Sequence, residues 1–307
     1  MKKALTSSMH AKGAFFIGIS AFFYASYGVW SKFMMDFFAE FNQAWIRALM
    51  ILIVLVPFGI ITKSFKKIQK ADWKWFLVMS LAGGFNQAPI FYGFKHLPVG
   101  TATLLFFTML TIGSYIIGKV FFNENLTRIK YFSLGLALIG LSIIYTFSLT
   151  ADQILPAIFI SLAGFMGACV VVFSKKVSSK YSEIQILTSL FVVMLLVNVV
   201  VSRVLGESIP LAEVSRAWFA QVGYAIAMLI ANGAVVVGFR YLEPSIGGII
   251  GLLEVVFGVL FGIIVFHEPL TAQLLVGSML IILSAGLSDS IALIKDKSKI
   301  NLLSRVS

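Results

Sequence analysis

The most constraining feature of this sequence is the repeated occurrence of apolar segments about 20 residues long, the length at which an α-helix crosses the ~30 Å hydrocarbon core of a bilayer. Hydrophobic residues make up 59% of the chain and charged residues only 12%, which is too apolar for a water-exposed surface. The segments lack the alternation that is typical of membrane β-strands, so they predict transmembrane helices. We place ten spans, at 13–31, 42–62, 73–94, 98–121, 129–148, 153–174, 183–203, 217–239, 244–266 and 270–292.

The connections between these spans are short, and the longest runs from about Val204 to Arg216. None of them can bury a soluble core, so we expect no extramembrane domain. The N-terminus begins basic and turns apolar like a secretory signal, but its apolar run continues to about Trp30 without a clear cleavage site, and we interpret it as span one. The one cysteine, Cys169, excludes an intramolecular disulfide and a cysteine-based zinc site.

The net charge of +11 is distributed unevenly along the chain. Most Lys and Arg residues lie in alternate connections, such as those at 63–74 and 175–180, and the intervening connections hold few. The positive-inside rule therefore predicts a multi-pass protein of the cytoplasmic (inner) membrane with both termini in the cytoplasm. The basic excess then faces lipid headgroups, so the expected partner is the lipid bilayer and not a nucleic acid.

An internal repeat divides the spans into two groups of five. Two stretches read Gly-Phe, a basic residue, His or Tyr, and Leu, then a long span and Glu-x-Leu-Thr. Because five is odd, the halves enter the membrane in opposite senses, which predicts an inverted repeat. The repeats would cover 1–148 and 149–295, followed by a cytoplasmic tail at 296–307. The aligned pairs are Gly93 with Gly238, Glu124 with Glu268, and the Ser-Lys steps at 31–32 and 174–175.

These features together resemble the drug/metabolite transporter superfamily, and specifically its ten-span permeases with two EamA-type repeats. The resemblance covers essentially the whole chain and implies that spans three, four, eight and nine, with one and six, surround a central cavity, while five and ten are peripheral. Members often carry a proline in the middle of spans four and nine; Met109–Thr111 and Glu254–Val255 supply none. The segments that carry the resemblance are Arg47, Lys95–Pro98, Glu124–Thr127, Arg240–Pro244, Leu252–Glu254 and Glu268–Thr271.

Several polar side chains within the spans are candidates for lining that cavity. Ser20, Tyr24 and Tyr27 follow one face of span one at helical spacing. Intramembrane polar groups also form hydrogen bonds that only hold helices together, at about 0.6 kcal/mol each, and this alternative stays open. The predicted substrate-binding residues are Tyr24, Tyr27, Arg47, Gln87, Thr108, Thr111, Tyr115, Asn232 and Glu254.

Two of these residues are ionisable. Arg47 lies early in span two, where it either extends to the outer headgroups or pairs with a carboxylate of the substrate or of Glu254. Glu254 lies near the middle of span nine, where it either bonds a neighbouring helix or exchanges a proton and holds a substrate ammonium group. The second alternative makes Glu254 the coupling residue.

Small residues in span nine suggest how that helix packs. Gly247, Gly251, Gly258 and Gly262 share one face, and the last two form a Gly-x-x-x-Gly motif. Small residues let two helix backbones approach closely. With the layout that the resemblance implies, the partner is span four.

No catalytic motif occurs in the chain. The three histidines lie in tails or at loop edges, and there is no His-Glu-x-x-His, no Gly-x-Ser-x-Gly and no phosphate-binding loop of ATP-driven pumps. We therefore predict that the protein is not an enzyme and needs no cofactor or metal.

The predicted function is secondary transport by alternating access, as an exporter of an amino acid or a related zwitterionic or amphipathic metabolite, with protons as a further partner. Phosphorylated substrates are disfavoured because only Arg47 and Lys119 supply cations within the spans. Two alternatives remain open at this point. The chain could instead be a non-transporting scaffold or signalling subunit, or it could move another class of compound, such as drugs or nucleotide-related molecules.

The predicted topology can be tested with single cysteines. A membrane-impermeant thiol reagent added to intact cells should label Glu207→Cys, and it should label Lys67→Cys and Lys176→Cys only after the membrane is opened, because the basic connections lie inside. The unmodified chain, with Cys169 inside span six, is the control. Labelling of position 67 from outside would contradict the orientation.

Overall fold

The computed structural model describes residues 2–34, 37–145, 147–209 and 215–303, with side chains described from residue 9 to residue 287 of these ranges. Within them the chain forms thirteen α-helices and no β-strand. The helices are α1 (Lys2–Ala25), α2 (Tyr27–Met34), α3 (Glu40–Ile61), α4 (Trp73–Phe85), α5 (Gln87–His96), α6 (Val99–Phe122), α7 (Arg128–Ile144), α8 (Ile154–Val177), α9 (Glu183–Val204), α10 (Arg216–Tyr241), α11 (Pro244–Gly251), α12 (Leu253–Phe266) and α13 (Ala272–Leu303).

Seven helical segments of the described residues are long and apolar enough to cross a membrane. The predicted spans at 73–94, 129–148 and 270–292 are also helical, but α4 and α5 are separated by a break, α7 has 17 residues, and the apolar part of α13 is short. The all-helical membrane architecture is thus confirmed. The count of ten crossings stays a prediction. The seven segments are Met9–Met34, Glu40–Ile61, Val99–Phe122, Ala151–Val177, Glu183–Val204, Arg216–Tyr241 and Pro244–Phe266.

Three of the helical segments are interrupted near their middle, at Ser26, Asn86 and Leu252. At Leu252 the backbone tightens, since its N–H bonds to the carbonyl of Ile249 at 3.0 Å and its own carbonyl accepts from Val255 at 3.0 Å. These bonds span three residues instead of four, as in a 3₁₀ turn. A break therefore occurs beside Glu254 without the proline that the related permeases often have there.

The connection between α3 and α4 lies against the connection between α8 and α9. Lys180 donates to the buried carboxylate of Asp72 at 2.9 Å, and the Tyr181 hydroxyl donates to the same group at 2.9 Å. The side-chain amide of Gln185 exchanges hydrogen bonds with the backbone of Lys66 at 3.0 and 2.6 Å. At this same end, the α6–α7 and α10–α11 connections meet where Glu124 accepts from the backbone N–H of Ser245.

The other connections meet at the opposite end of the bundle. Glu207, after α9, accepts from the backbone N–H groups of Phe41 and Asn42 at the start of α3, at 3.1 and 2.7 Å. These N–H groups lack helical partners, so the carboxylate acts as a cap supplied by another part of the chain. Thr101 at the start of α6 bonds the backbone of Ser148 at 3.2 Å. Successive helical segments thus run from one group of connections to the other.

Helices α7 and α13 form a pair at the periphery. Gly140 and Gly277 face each other so closely that a methyl group added to either would approach the other's carbonyl oxygen to 2.8 Å or less. Large apolar residues on both helices, including Phe132, Ile139 and Leu283, are exposed on the outer side. This arrangement agrees with the expected outer position of spans five and ten.

The predicted packing of span nine on span four is wrong for all four of the glycines that suggested it, since Gly247 abuts Phe239 and Gly262 abuts Glu268. Only α11 lies against α6, where Gly248 abuts Ser114. A methyl group at Gly251 or Gly258 would meet no atom within 4 Å, so neither glycine is required for close packing. Beyond the break, α12 packs on α1 instead, and the ring of Phe22 lies 5.2 Å from that of Phe261.

The Asp72 cluster generates a prediction about stability and pH. The hydrogen bond from Lys180 lowers the pKa of Asp72, and burial opposes this effect only in part. A lowered folded pKa means that the carboxylate stabilises the fold above the ordinary aspartate value of about 3.9, and that this contribution is lost as the pH falls through the folded pKa. Asp72→Asn should therefore lower Tm at pH 7 by several °C, for a loss of about 1–3 kcal/mol.

The measurement is thermal unfolding in detergent followed by intrinsic fluorescence. The difference in Tm between the two proteins should shrink as the pH falls below about 4. Asp152→Asn, at an exposed position of the opposite end, is the matched control and should leave Tm unchanged. A pH-independent difference for Asp72→Asn would mean that the carboxylate's charge is not what stabilises this end.

Candidate functional site

A cavity of about 40 Å³ lies inside the helical bundle. It can hold on the order of three water molecules. Its walls come from α1, α6, α8, α10, α11 and α12, which are most of the elements expected around the central cavity; among the described residues, α4 and α5 contribute none. The lining residues that matter for its chemistry are Ser20, Tyr24, Phe107, Leu110, Phe239 and Glu254.

Glu254 is the one charged residue among those that line this cavity. The turn at Leu252 restarts the helix just before it, so the carboxylate lies in the first turn of α12. The N-terminal end of a helix carries a partial positive charge that favours a carboxylate. Within the described part of the chain, Glu254 has no hydrogen bond and no ion pair, so the alternative in which it bonds a neighbouring helix is not supported by any contact.

Two predicted site residues meet directly across the bundle. The Tyr24 hydroxyl donates to Oδ1 of Asn232 at 3.0 Å, and Nδ2 of Asn232 donates to the carbonyl of Met228 at 2.9 Å. The first of these bonds ties α1 to α10 next to the cavity, and the second lies within α10. They also occupy the amide of Asn232, so helix–helix bonding accounts for this residue, while Tyr24 remains on the cavity wall.

Aromatic rings extend from the cavity to Arg47. The ring centroids of Tyr24 and Tyr27 are 5.2 Å apart, and those of Tyr27 and Tyr224 are 4.4 Å apart. The guanidinium of Arg47 lies over the Tyr224 ring, 3.6 Å from its centroid. A cation over an aromatic face is attracted by the ring's negative π-surface. The predicted residues Tyr24, Tyr27 and Arg47 thus belong to one continuous cluster, completed by Tyr224.

Arg47 is 2% exposed, so it does not extend to the outer headgroups. Among the described residues it forms no ion pair with Glu254. Its Nε and Nη1 atoms are buried and have no hydrogen-bond partner. Pairing with a carboxylate from outside the chain stays a prediction.

The predicted polar residues of α6 do not line the cavity. The Thr111 hydroxyl donates to the carbonyl of Phe107 in its own helix at 2.8 Å, and the buried Tyr115 donates to the carbonyl of Lys130 at 2.8 Å. Thr108 is partly buried and is not among the residues that line the cavity. The face of α6 that reaches the cavity is the apolar one, because hydroxyl groups can be satisfied within a helix and need no cavity.

Gln87 also lies outside the cavity wall. It is the first residue of α5, directly after the break at Asn86, and is partly exposed. Gln87 follows a break in its span, whereas its repeat counterpart Asn232 lies within the continuous helix α10. Equivalent positions in the two halves therefore differ in surroundings.

Sequence reasoning missed two residues of the cluster. Tyr224 carries no motif, and one tyrosine in an apolar helix gives no signal of its own. Ser20 was recognised on the same helical face as Tyr24 but was not selected as a site residue; its buried Oγ has no hydrogen-bond partner and lies on the cavity wall with Glu254.

Comparisons with known proteins agree with this architecture. The sequence model of the EamA-like transporter family matches residues 11–146 and 154–288. An uncharacterized transporter, YoaV of Bacillus subtilis (strain 168), is 25% identical over 227 residues, which cover 70% of this chain and 75% of that protein. A solved crystal structure with 13% sequence identity superposes with a TM-score of 0.77 over 91% of this chain and 97% of the other, and so shows the shared fold.

Proposed function

The chain belongs to the EamA-like transporter family, and we propose that it is a secondary transporter that carries a small metabolite through the cytoplasmic membrane by alternating access. The observation that carries this proposal is the intramembrane cavity with its unpaired carboxylate, Glu254. An ionisable side chain inside a membrane is costly and usually marks the path of a substrate or an ion. A multi-pass membrane protein without such a path would have no use for it.

Alternating access by an inverted repeat is supported by the matching ends of α6 and α12. Each helix ends in a left-handed residue, Asn123 with φ 51° and His267 with φ 55°. In each, the N–H of the following glutamate bonds back to a glycine carbonyl six residues earlier, at 3.0 and 3.1 Å. The two ends lie at opposite ends of the bundle. We infer ten crossings in two inverted halves, 1–148 and 149–295.

The helix contacts support the same symmetry. Gly93 packs against Ile160, and its counterpart Gly238 packs against Ile17 in the matching way. Helix α8 packs against α6 and the α4–α5 segment, and α1 packs against α12 and α10. Under the repeat, these two sets of neighbours correspond to each other. Two halves with the same contacts can exchange arrangements, so that each end of the bundle opens in turn.

The two equivalent glutamates have different surroundings in this conformation. Glu124 is buried with a side-chain exposure of 1%, and it pairs with Lys130 and accepts from the Ser245 hydroxyl. Glu268 has a side-chain exposure of 53% and contacts Lys32 at 3.3 Å. We infer that the end with Glu124, which the basic connections assign to the cytoplasm, is tightly closed, and that the outer end is the looser one.

This difference predicts that weakening the Glu124 network opens the cytoplasmic end. In a Cys169→Ser background with Ala21→Cys on the cavity wall, Lys130→Met should raise cysteine labelling from the cytoplasmic side by about fivefold or more, the lower end of typical coupling energies. Ser245→Ala is a milder variant that should act in the same direction. The measurement is labelling of inside-out vesicles.

Lys32→Met is the matched comparison, because Lys32 pairs with the glutamate that is equivalent to Glu124 at the other end. It should leave cytoplasmic labelling unchanged or lower it. Equal increases for the Lys130 and Lys32 variants would indicate general loosening of the bundle and would contradict the assignment of the two ends.

The chemistry of the cavity supports an amphipathic substrate with an amino group. Apart from Ser20, Tyr24 and Glu254, its walls are aliphatic, aromatic or glycine. A carboxylate with aromatic neighbours suits an ammonium group, and the absence of Lys and Arg from the lining residues disfavours phosphorylated compounds. An amino acid or a related zwitterion is the class that we propose.

Export follows from the presence of one carboxylate that binds either a proton or an ammonium group. If the ammonium group leaves Glu254 only when a proton binds, and the proton leaves only when an ammonium group binds, the transporter exchanges substrate for protons. Protons that enter down their gradient would then drive the substrate outward, and this makes Glu254 the coupling residue.

The coupling role predicts the behaviour of Glu254→Gln. Glutamine keeps the shape and hydrogen-bonding capacity of the side chain but cannot titrate, so the variant should insert normally, lose accumulation of labelled amino acids driven by a pH gradient, and retain exchange of substrate down its own gradient. The assay uses proteoliposomes and a mixture of labelled amino acids. Glu40→Gln, at an exposed position of α3, is the control.

Two results would contradict this account. Accumulation by Glu254→Gln that still follows the pH gradient would show that another group couples transport. Failure of the purified wild-type protein to move any amino acid, with or without a gradient, would favour a different substrate class or a non-transporting role.

A further inference from the structure

We propose that Arg47 and the hydroxyl of Tyr27 form a subsite for the carboxylate of the substrate, and that Tyr224 is the positioning residue that holds Arg47 for this contact. The proposal rests on the transport function proposed above and narrows its substrate to a zwitterion. It concerns the part of the cluster that lies beyond the cavity wall, which consists of Tyr27, Arg47 and Tyr224.

The first argument is the unpaired state of the guanidinium. Arg47 is 2% exposed, and its Nε and Nη1 atoms are buried without a partner. Arginine stays charged at all relevant pH values, and a buried charge is costly unless a counter-charge or hydrogen bonds compensate it. Within the described residues, the guanidinium contacts the face of Tyr224 but donates no hydrogen bond to the protein.

The second argument is that the nearby carboxylates are engaged elsewhere or too distant. Glu207 lies at the same end of the bundle as the start of α3, but its two oxygens accept from the backbone N–H groups of Phe41 and Asn42. Glu254 forms no ion pair with Arg47 among the described residues. The described part of the chain thus supplies no anion for Arg47, and an anionic ligand is the partner that its chemistry fits.

The third argument is the orientation of the cluster. Tyr224 covers one face of the guanidinium plane, which leaves the N–H groups along its edges free to meet a planar carboxylate. Tyr27 packs against Tyr224 at 4.4 Å, and its buried hydroxyl also lacks a partner. The two side chains that carry these unsatisfied donors, Arg47 and Tyr27, therefore both contact Tyr224.

The position of this subsite relative to the cavity defines the ligand. Tyr24 lies on the cavity wall with Glu254, and its ring centroid is 5.2 Å from that of Tyr27. A zwitterion whose carboxylate meets Arg47 would have its ammonium group on the side toward Glu254 and its apolar part against the aliphatic lining.

The test uses three compounds of nearly equal size: leucine, 3-methylbutylamine, which lacks the carboxylate, and 4-methylpentanoate, which lacks the amine. Binding to the full-length protein in nanodiscs is measured by calorimetry at neutral pH. Wild type should bind leucine about tenfold or more tightly than the amine, the difference expected for a charge-assisted contact in a desolvated site.

Variants then separate the subsite from the fold. Arg47→Lys keeps the charge but loses the planar fork, so it should weaken leucine binding by about tenfold and leave 3-methylbutylamine binding unchanged. Tyr27→Phe should act in the same direction with a smaller loss. Tyr224→Leu should weaken leucine binding and leave amine binding unchanged, as Arg47→Lys does. Tyr224→Trp should retain leucine binding, because tryptophan also offers a face to a cation. Tyr131→Phe, on the exposed side of α7, is the control.

The outcomes distinguish the subsite from the transport function. If Arg47→Lys weakened the binding of leucine and of 3-methylbutylamine equally, Arg47 would have a structural role in the fold. If wild type transported leucine but bound it no more tightly than the amine, the subsite alone would be refuted. If no amino acid is transported, the proposed function fails. In that case, binding of 4-methylpentanoate to wild type but not to Arg47→Lys would still support the subsite. If wild type did not bind 4-methylpentanoate either, the subsite would be refuted as well.

Discussion

The constraint on which this structure depends is that hydrocarbon offers no hydrogen bonds. Each backbone N–H and C=O inside the membrane must be satisfied within the chain, which is why the spanning segments are helical. Departures from the regular helix are tolerated only where protein or water surrounds them. The break at Leu252 meets this condition because Leu252 is fully buried and the shorter bonds on either side of it keep the backbone satisfied. It also places Glu254 in the first turn of a new helix, beside the cavity.

The same constraint applies to the charged side chains that lie inside the bundle. At the end of the bundle that holds Glu124, the buried Lys130 is compensated twice, by Glu124 and by Glu243 at 2.5 Å. In the interior, Arg47 and Glu254 have no protein counter-charge among the described residues and do not compensate each other. A chain selected only for stability would pair such groups or replace them, since an isolated buried charge is destabilising. These two separate charges are the reason why we propose a ligand with one charge of each sign.

The architecture was predictable because it depends on features that local sequence records well. Hydrophobic length, the asymmetry of basic residues and the recurrence of Gly93 and Glu124 as Gly238 and Glu268 all follow from the membrane itself or from the repeat. The site was only partly predictable. Tyr24 and Glu254 lie on the cavity wall as expected, whereas Thr111 and Tyr115 satisfy their hydroxyls on backbone carbonyls. A polar residue in a span does not reveal where its side chain is bonded, and that depends on tertiary contacts.

The repeat shows most clearly what sequence symmetry leaves open. Glu124 and Glu268 follow identical helix ends with nearly identical backbone geometry, yet one is buried in a charge network and the other is half exposed. The local motif is the same, so the difference arises from what surrounds it. Lys130 has no charged counterpart in the second half, where the sequence continues through Ala272, Gln273 and Leu274. The end that holds Glu124 is therefore packed more firmly than the end that holds Glu268. In the transport cycle that we propose, substrate or proton binding at the cavity would have to offset this difference before the Glu124 end opens, which would couple opening to occupancy of the site.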